Sequence, residues 1–236
     1  GGAWRQPPTL DGKTRRPLPR FSDLSRAELE ELDAFFARLA GESLRVLVSG
    51  GRVFLAGNPL LLPRVTARFA AAGFEVRGEI IRLVRTLRGG DRPKGAEREF
   101  EGVSVSPRSA YEPWGLYRKP ISEKTVAANL RRWGAGGLRR EPERPFGDVI
   151  PCRVASGKER ALSDHPSLKP QRFLRRVVRA ALPLGTGIVL DPFAGSGSTL
   201  AAAESLGYES IGIEIDPEFF EKALVSIPAL ADLNPP

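Results

Sequence analysis

The chain has 236 residues, 36 Lys plus Arg against 28 Asp plus Glu, and a formal charge of +8. Hydrophobic residues make up 41% and charged residues 27%, too apolar for a disordered chain and enough for one good core with a small appended lobe. The single cysteine, Cys152, excludes a disulfide scaffold and a multi-cysteine metal cluster. The single histidine, His165, argues against a histidine-rich metal site, so no metal is expected. No apolar run approaches the ~20 residues of a membrane span and the first residues carry no secretory pattern, which points to the cytoplasm. Methionine is absent and Gly1 opens directly into loop, which predicts native residues before Gly1.

In chain order, residues 1–21 read as a proline-rich basic loop. Ser25 and Glu28 have the spacing of a helix-capping box, and Leu29, Leu32, Phe35, Phe36 and Leu39 recur at helical spacing, giving a helix to about Leu44. After the Gly50-Gly51 turn, Val53 to Ala56 reads as a buried strand, and Asn58-Pro59 opens a helix ending near Gly73. Phe74 to Leu87 reads as one long strand, Gly89 to Glu101 as loop. Tyr111 to Arg118 reads as a strand that Pro113 interrupts, hence an edge strand or a bulge. Residues 119–164 carry little periodicity and read as a loop-rich insert. The remainder alternates: helix 168–182, strand 187–191, helix 198–206, strand 209–214, helix 217–227. Such alternation implies a parallel sheet covered on both faces.

Charge is unevenly spread. Residues 1–76 hold 11 basic and 8 acidic groups, residues 77–179 hold 24 and 12, and residues 180–236 hold 1 and 8. A middle block rich in arginine suits phosphates, which guanidinium forks bind in pairs of hydrogen bonds. The split by region suggests a polyanion bound on one side. Trp133 with Arg131, Arg132, Arg139 and Arg140 is the candidate nucleic-acid contact.

The sharpest chemical signal is Ile188-Val-Leu-Asp-Pro-Phe-Ala-Gly-Ser-Gly-Ser-Thr-Leu200. A strand ending at Asp191 feeds a turn with Gly195 and Gly197, then a helix near Ser198. Glycines there let backbone N–H groups approach a ligand, and the helix start adds positive potential. Glu214 ends the next strand, where a carboxylate can accept from ribose hydroxyls. A P-loop needs a lysine after the second glycine, and none follows Gly197. A dinucleotide fingerprint needs a third glycine where Leu200 stands. A nucleoside without phosphates remains.

Asp191-Pro-Phe-Ala-Gly-Ser-Gly-Ser-Thr199 followed by Gly212-Ile-Glu-Ile-Asp216 closely resembles the S-adenosylmethionine site of DNA amino-methyltransferases. His165-Pro-Ser-Leu-Lys-Pro170 resembles the same family's H-P-[ST]-x-K-P motif. The resemblance implies that Phe193, Gly195 and Gly197 line the methionine pocket, with Asp191 opening the turn. It implies that Glu214 holds the ribose and that Ser167 and Lys169 reach the cofactor's carboxylate. Leu44 to Leu55, Gly73 to Ile81 and Tyr111 to Lys119 resemble earlier segments of the family. A late cofactor motif is the order of its beta class.

The family's catalytic tetrad, [DNS]-P-P-[YFW], comes upstream of these segments in this class. Gln6-Pro-Pro-Thr9 has neither the acid or amide nor the aromatic, and Pro235-Pro236 is a tail. A side-chain oxygen and a backbone carbonyl must orient the amino nitrogen, and an aromatic must stack on the flipped base. No catalytic residue is therefore assigned, and the expectation is that the tetrad lies before Gly1. His165 reads as part of a structural motif, Cys152 as inert and Trp114 as core, while Trp4 is a loop residue open to base stacking.

The expectation is an α/β, Rossmann-like, seven-stranded and mostly parallel methyltransferase sheet. Residues 1–118 form its catalytic side, 119–164 a target-recognition insert and 165–236 the cofactor half. The activity implied by the resemblance is methyl transfer from S-adenosylmethionine to an amino nitrogen of adenine or cytosine in double-stranded DNA, and the candidate assembly is a homodimer. The alternative is a nucleic-acid-binding module that keeps the fold without transfer.

Overall fold

Helix α1 (Arg26–Val46) starts where the capping box places it: Ser25 Oγ accepts from the Glu28 N–H, and Glu28 reaches back to the Ser25 N–H. The computed structural model describes residues 24–84, 93–107 and 110–233. Trp4 and the Gln6–Thr9 segment lie outside them, as do residues 85–87 of the expected long strand. Strand β1 (Arg52–Ala56) and helix α2 (Leu62–Ala71) follow. Asn58 does not begin α2; its Oδ1 accepts from the Leu60 N–H in a turn that delays the helix to Pro63 at its first positions.

Strands β2 (Glu75–Leu83), β3 (Tyr111–Arg118) and β4 (Val149–Pro151) complete a sheet in the order β1-β3-β2-β4. β1 runs antiparallel to β3, with Arg52 opposite Arg118 and Ala56 opposite Trp114, while β2 and β4 are parallel. Thus β3 is an interior strand, contrary to the expectation drawn from Pro113. The β1 ladder stops at Trp114, so the proline sits just beyond it, and its carbonyl accepts from the Gly57 N–H instead. A second sheet pairs β5 (Ile188–Asp191) in parallel with β6 (Glu209–Gly212). Among the described residues there are therefore six strands in two sheets, mixed in direction, rather than seven mostly parallel ones.

The region read as loop-rich holds helix α3 (Val126–Trp133) and helix α4 (Gly157–Leu162). Helices α5 (Gln171–Ala181), α6 (Ser198–Glu204) and α7 (Pro217–Ala231) match the expected alternation, and α7 runs on through Pro228.

The chain divides into two compact units. One joins the described residues up to Glu79 with Pro113–Gly136; the other joins Ile80–Glu112 with the residues from Gly137 onward. The boundary cuts β2 and β3, so each strand gives residues to both. It also divides 119–164, giving α3 to the first unit and β4 and α4 to the second.

The first unit is built around Ala40, Val65, Phe69, Phe74 and Tyr117, against which Phe36, Leu39 and Leu55 pack. The Phe69 and Tyr117 rings stack at 4.5 Å, and the buried Tyr117 hydroxyl pairs with Thr66 Oγ1 at 2.9 Å. Asn129 of α3 is fully buried, donating to the Ser49 and Ala135 carbonyls and accepting from the Ser49 hydroxyl. That network ties α3 to the turn before β1.

In the second unit, Ala201, Ala202 and Ala203 are wholly buried, and their small side chains let α5 and α7 close on α6. Arg175 of α5 donates to the Leu230, Ala231 and Leu233 carbonyls, closing the end of α7.

Candidate cofactor site

The second unit carries the turn between β5 and α6. Gly195 (φ 54°) and Gly197 (φ 81°) both occupy the left-handed region that side chains disfavour. Space also demands them. A Cβ on Gly195 would stand 2.9 Å from His165 Nε2, and one on Gly197 would stand 2.3 Å from Ile227 Cγ1. Gly197 is therefore required by the packing of α6 on α7, and Gly195 by an imidazole laid against the turn.

The turn's N–H groups are largely spent within the protein. Phe193 donates to Asp191 Oδ1 at 3.0 Å and Gly195 to Glu214 Oε2 at 2.7 Å. Ala194 donates to the Ile213 carbonyl and Gly197 to the Ala194 carbonyl. Asp216 donates to Glu214 Oε1 at 2.8 Å, so each Glu214 oxygen accepts one backbone N–H. The expectation of N–H groups offered to a ligand gives way to a turn organised around two carboxylates. An anion cradle needs open donors. Two half-buried carboxylates, with Phe193 54% and Ile215 96% exposed beside them, instead present acceptors and bare apolar surface. A ribose with a base fits that chemistry, and a polyphosphate does not.

The 165–171 segment runs over this turn. His165 packs edge-on against Phe219, centroids 4.4 Å apart, and its Nδ1 accepts from the Ser167 N–H at 3.1 Å. Leu168 is buried in the cluster with Ala201. Gln171, wholly buried, donates from Nε2 to the Ser198 carbonyl at 2.9 Å. Below, Ser163 Oγ donates to Ser196 Oγ at 2.6 Å and Ser226 Oγ to the Ser196 carbonyl at 2.6 Å. The turn is thus fixed from three directions.

Ser167 is exposed, while Lys169 is ion-paired with Glu112 of β3. Arg82 of β2 binds the same carboxylate at 2.7 Å, donates to the Arg153 carbonyl and lies over the Phe173 ring. Burial pushes the Glu112 carboxyl up, but Lys169 and Arg82 outweigh it and hold the carboxyl below its ordinary value. Neither Glu112 nor Arg82 stood out in the sequence. The one available signal was an acid inside an aromatic strand, Tyr111-Glu-Pro-Trp114. Cys152 is buried and its thiol is pushed up, chiefly by burial, as an inert cysteine would be.

The four candidate arginines are divided between the units. In the first, Arg132 lies over the Trp133 ring and pairs with Glu123, and Arg131 is exposed beside it. In the second, Arg139 donates to the Tyr208 hydroxyl at 2.9 Å, just before β6 begins, and the exposed Arg140 gives its carbonyl to Arg179.

A family model described as DNA methylase, for N6 and N4 methyltransferases, matches residues 26–225. The chain is 37% identical over 82 residues to the type II methyltransferase M.ScaI of Streptomyces caespitosus, covering 34% of this chain and 27% of that protein. It is 39% identical over 92 residues to the DNA adenine methyltransferase YhdJ of Escherichia coli strain K12, covering 36% of this chain and 31% of that protein. The matched stretch thus spans less than a third of either relative. Among solved structures, the M1.HpyAVI–SAM complex superposes with a TM-score of 0.58 at 20% identity, covering 84% of this chain and 83% of that one, a likeness of fold. With its family model matched over most of its length and its cofactor motif late in the chain, this protein belongs to the DNA methylase family, in the beta-class order of amino-methyltransferases.

Proposed function

We propose that the chain binds S-adenosylmethionine at the β5–α6 turn and serves the methylation of an exocyclic amino nitrogen of adenine or cytosine in double-stranded DNA. The observation that carries this reading is the pair of carboxylates, Asp191 and Glu214, set beside exposed Phe193 and Ile215 at the carboxyl ends of β5 and β6. When bound, the cofactor supplies an activated sulfonium methyl, so no metal is required. Glu214 receives the ribose hydroxyls on the lone pairs that Gly195 and Asp216 leave free, and Phe193 and Ile215 cover apolar parts of the ligand. Asp191 braces the turn through the Phe193 N–H. Ser167 reaches the ligand from the exposed side. Lys169, held by Glu112, sets its positive charge toward the amino-acid carboxylate. The target base is flipped from the duplex, since its amino group cannot be aligned inside the stack.

The test is calorimetric titration with S-adenosylmethionine. The chain should bind it, and Glu214→Ala should weaken binding by ~1–3 kcal/mol through lost charge-assisted hydrogen bonds. Unchanged affinity in a folded Glu214→Ala variant would remove Glu214 from the site.

A further inference from the structure

We infer that the segment between β4 and the glycine turn, through Arg153, Lys158 and Arg160, is the surface that holds the DNA backbone; this rests on the methyltransferase reading above. β4 runs parallel to β2, and its ladder continues one residue further, the Cys152 N–H donating to the Leu83 carbonyl. Residues 152–163 therefore leave the carboxyl end of β4. Their far end is anchored on the glycine turn by the Ser163–Ser196 hydrogen bond, and His165 then lies against Gly195. The segment thus starts at the carboxyl end of β4 and ends against the turn that carries Asp191 and faces Glu214.

Along it, Arg153, Lys158 and Arg160 are exposed, and none takes part in an ion pair among the described residues. The acid among them, Glu159, is buried and spent, accepting from the Ser156 and Gln171 N–H groups. Exposed Val154 offers apolar surface between the cations. Three cations outside any ion pair among the described residues complement a phosphodiester chain, and the exposed acid Glu221 lines one pocket with Arg160. A base delivered to the turn must bring its flanking phosphates past this segment.

Arg139 is placed otherwise within the same unit. Its partner Tyr208 precedes β6, at the amino end of strands whose four residues span about 13 Å.

The experiment is binding of a fluorescent DNA duplex to the full chain across a salt series. Each lost phosphate contact should flatten the log–log salt slope by about 0.9. The triple variant Arg153→Ala, Lys158→Ala, Arg160→Ala should lose roughly two to three units of slope and bind roughly tenfold or more weakly at moderate salt. Its melting curve and its affinity for S-adenosylmethionine should stay as in the parent chain. A parent chain that binds duplex while the triple variant matches it in slope and affinity would overturn this assignment and leave the methyltransferase reading standing. So would a loss confined to a variant with Arg131, Arg132, Arg139 and Arg140 replaced by alanine. A parent chain with no affinity for duplex, yet binding S-adenosylmethionine, would overturn this inference along with DNA as the substrate.

Discussion

At the scale of single residues, the glycine turn separates what a motif implies from what an atom does. Gly197 was expected to clear space for a ligand, yet its missing Cβ makes room for Ile227. Gly197→Ala should therefore destabilise the fold, by ~1–3 kcal/mol for overpacking with ~1–2 kcal/mol more for the left-handed backbone. In a background carrying Ile227→Ala the same substitution should cost less, because the clash is gone and the strain remains. Chemical denaturation of the four chains measures this, and equal losses in both backgrounds would take the packing role from Gly197. Glu214 has a double part by the same logic. It orders the turn through two backbone N–H groups and still has lone pairs to offer, so its loss should lower both melting temperature and ligand affinity.

Among elements, the notable link is Glu112 of β3, which joins Arg82 of β2 to Lys169 ahead of α5. A carboxyl whose folded pKa is depressed gives stability that is complete above its ordinary value of 4.5 and is lost as pH falls through the folded value. Glu112→Gln should thus cost about 1–3 kcal/mol at neutral pH, leaving two partly buried cations short of a counter-charge. The gap to the parent chain should close as pH drops below 4.5 through the depressed value. Urea denaturation across that range decides it, and a gap independent of pH would mean the ion pairs contribute nothing. Elements with strong local cues were legible in the sequence: the Ser25 capping box gave α1, and the β5-to-α7 alternation gave the cofactor half. What escaped depends on long-range pairing. α3 has eight residues and one buried polar side chain, too short for periodicity, and its stability comes from Asn129 reaching Ser49. The interior place of β3 could not be read because Pro113 is made harmless by where β1 stops. The site's carboxylates were legible, but their occupation by the turn's own N–H groups was not, since hydrogen-bond partners across a turn leave no trace in spacing.

For the molecule as a whole, the second sheet leaves an edge and a face uncovered among the described residues. Among the described residues β5 pairs with β6 alone, and Ile188, Leu190, Ile211 and Ile213 stand exposed. An open edge and bare apolar side chains beside the β5–α6 turn suit one more strand. The division into units has a different consequence, in the order of events during synthesis. The first unit has all its residues once Gly136 has left the ribosome, while the second must keep Ile80–Glu112 waiting for partners as distant as Lys169. Contacts of such sequence separation form slowly. The half that carries the β5–α6 turn is thus the last to fold, and Arg82 and Glu112, able to pair with each other early, must wait for Lys169 and Phe173 to complete their cluster.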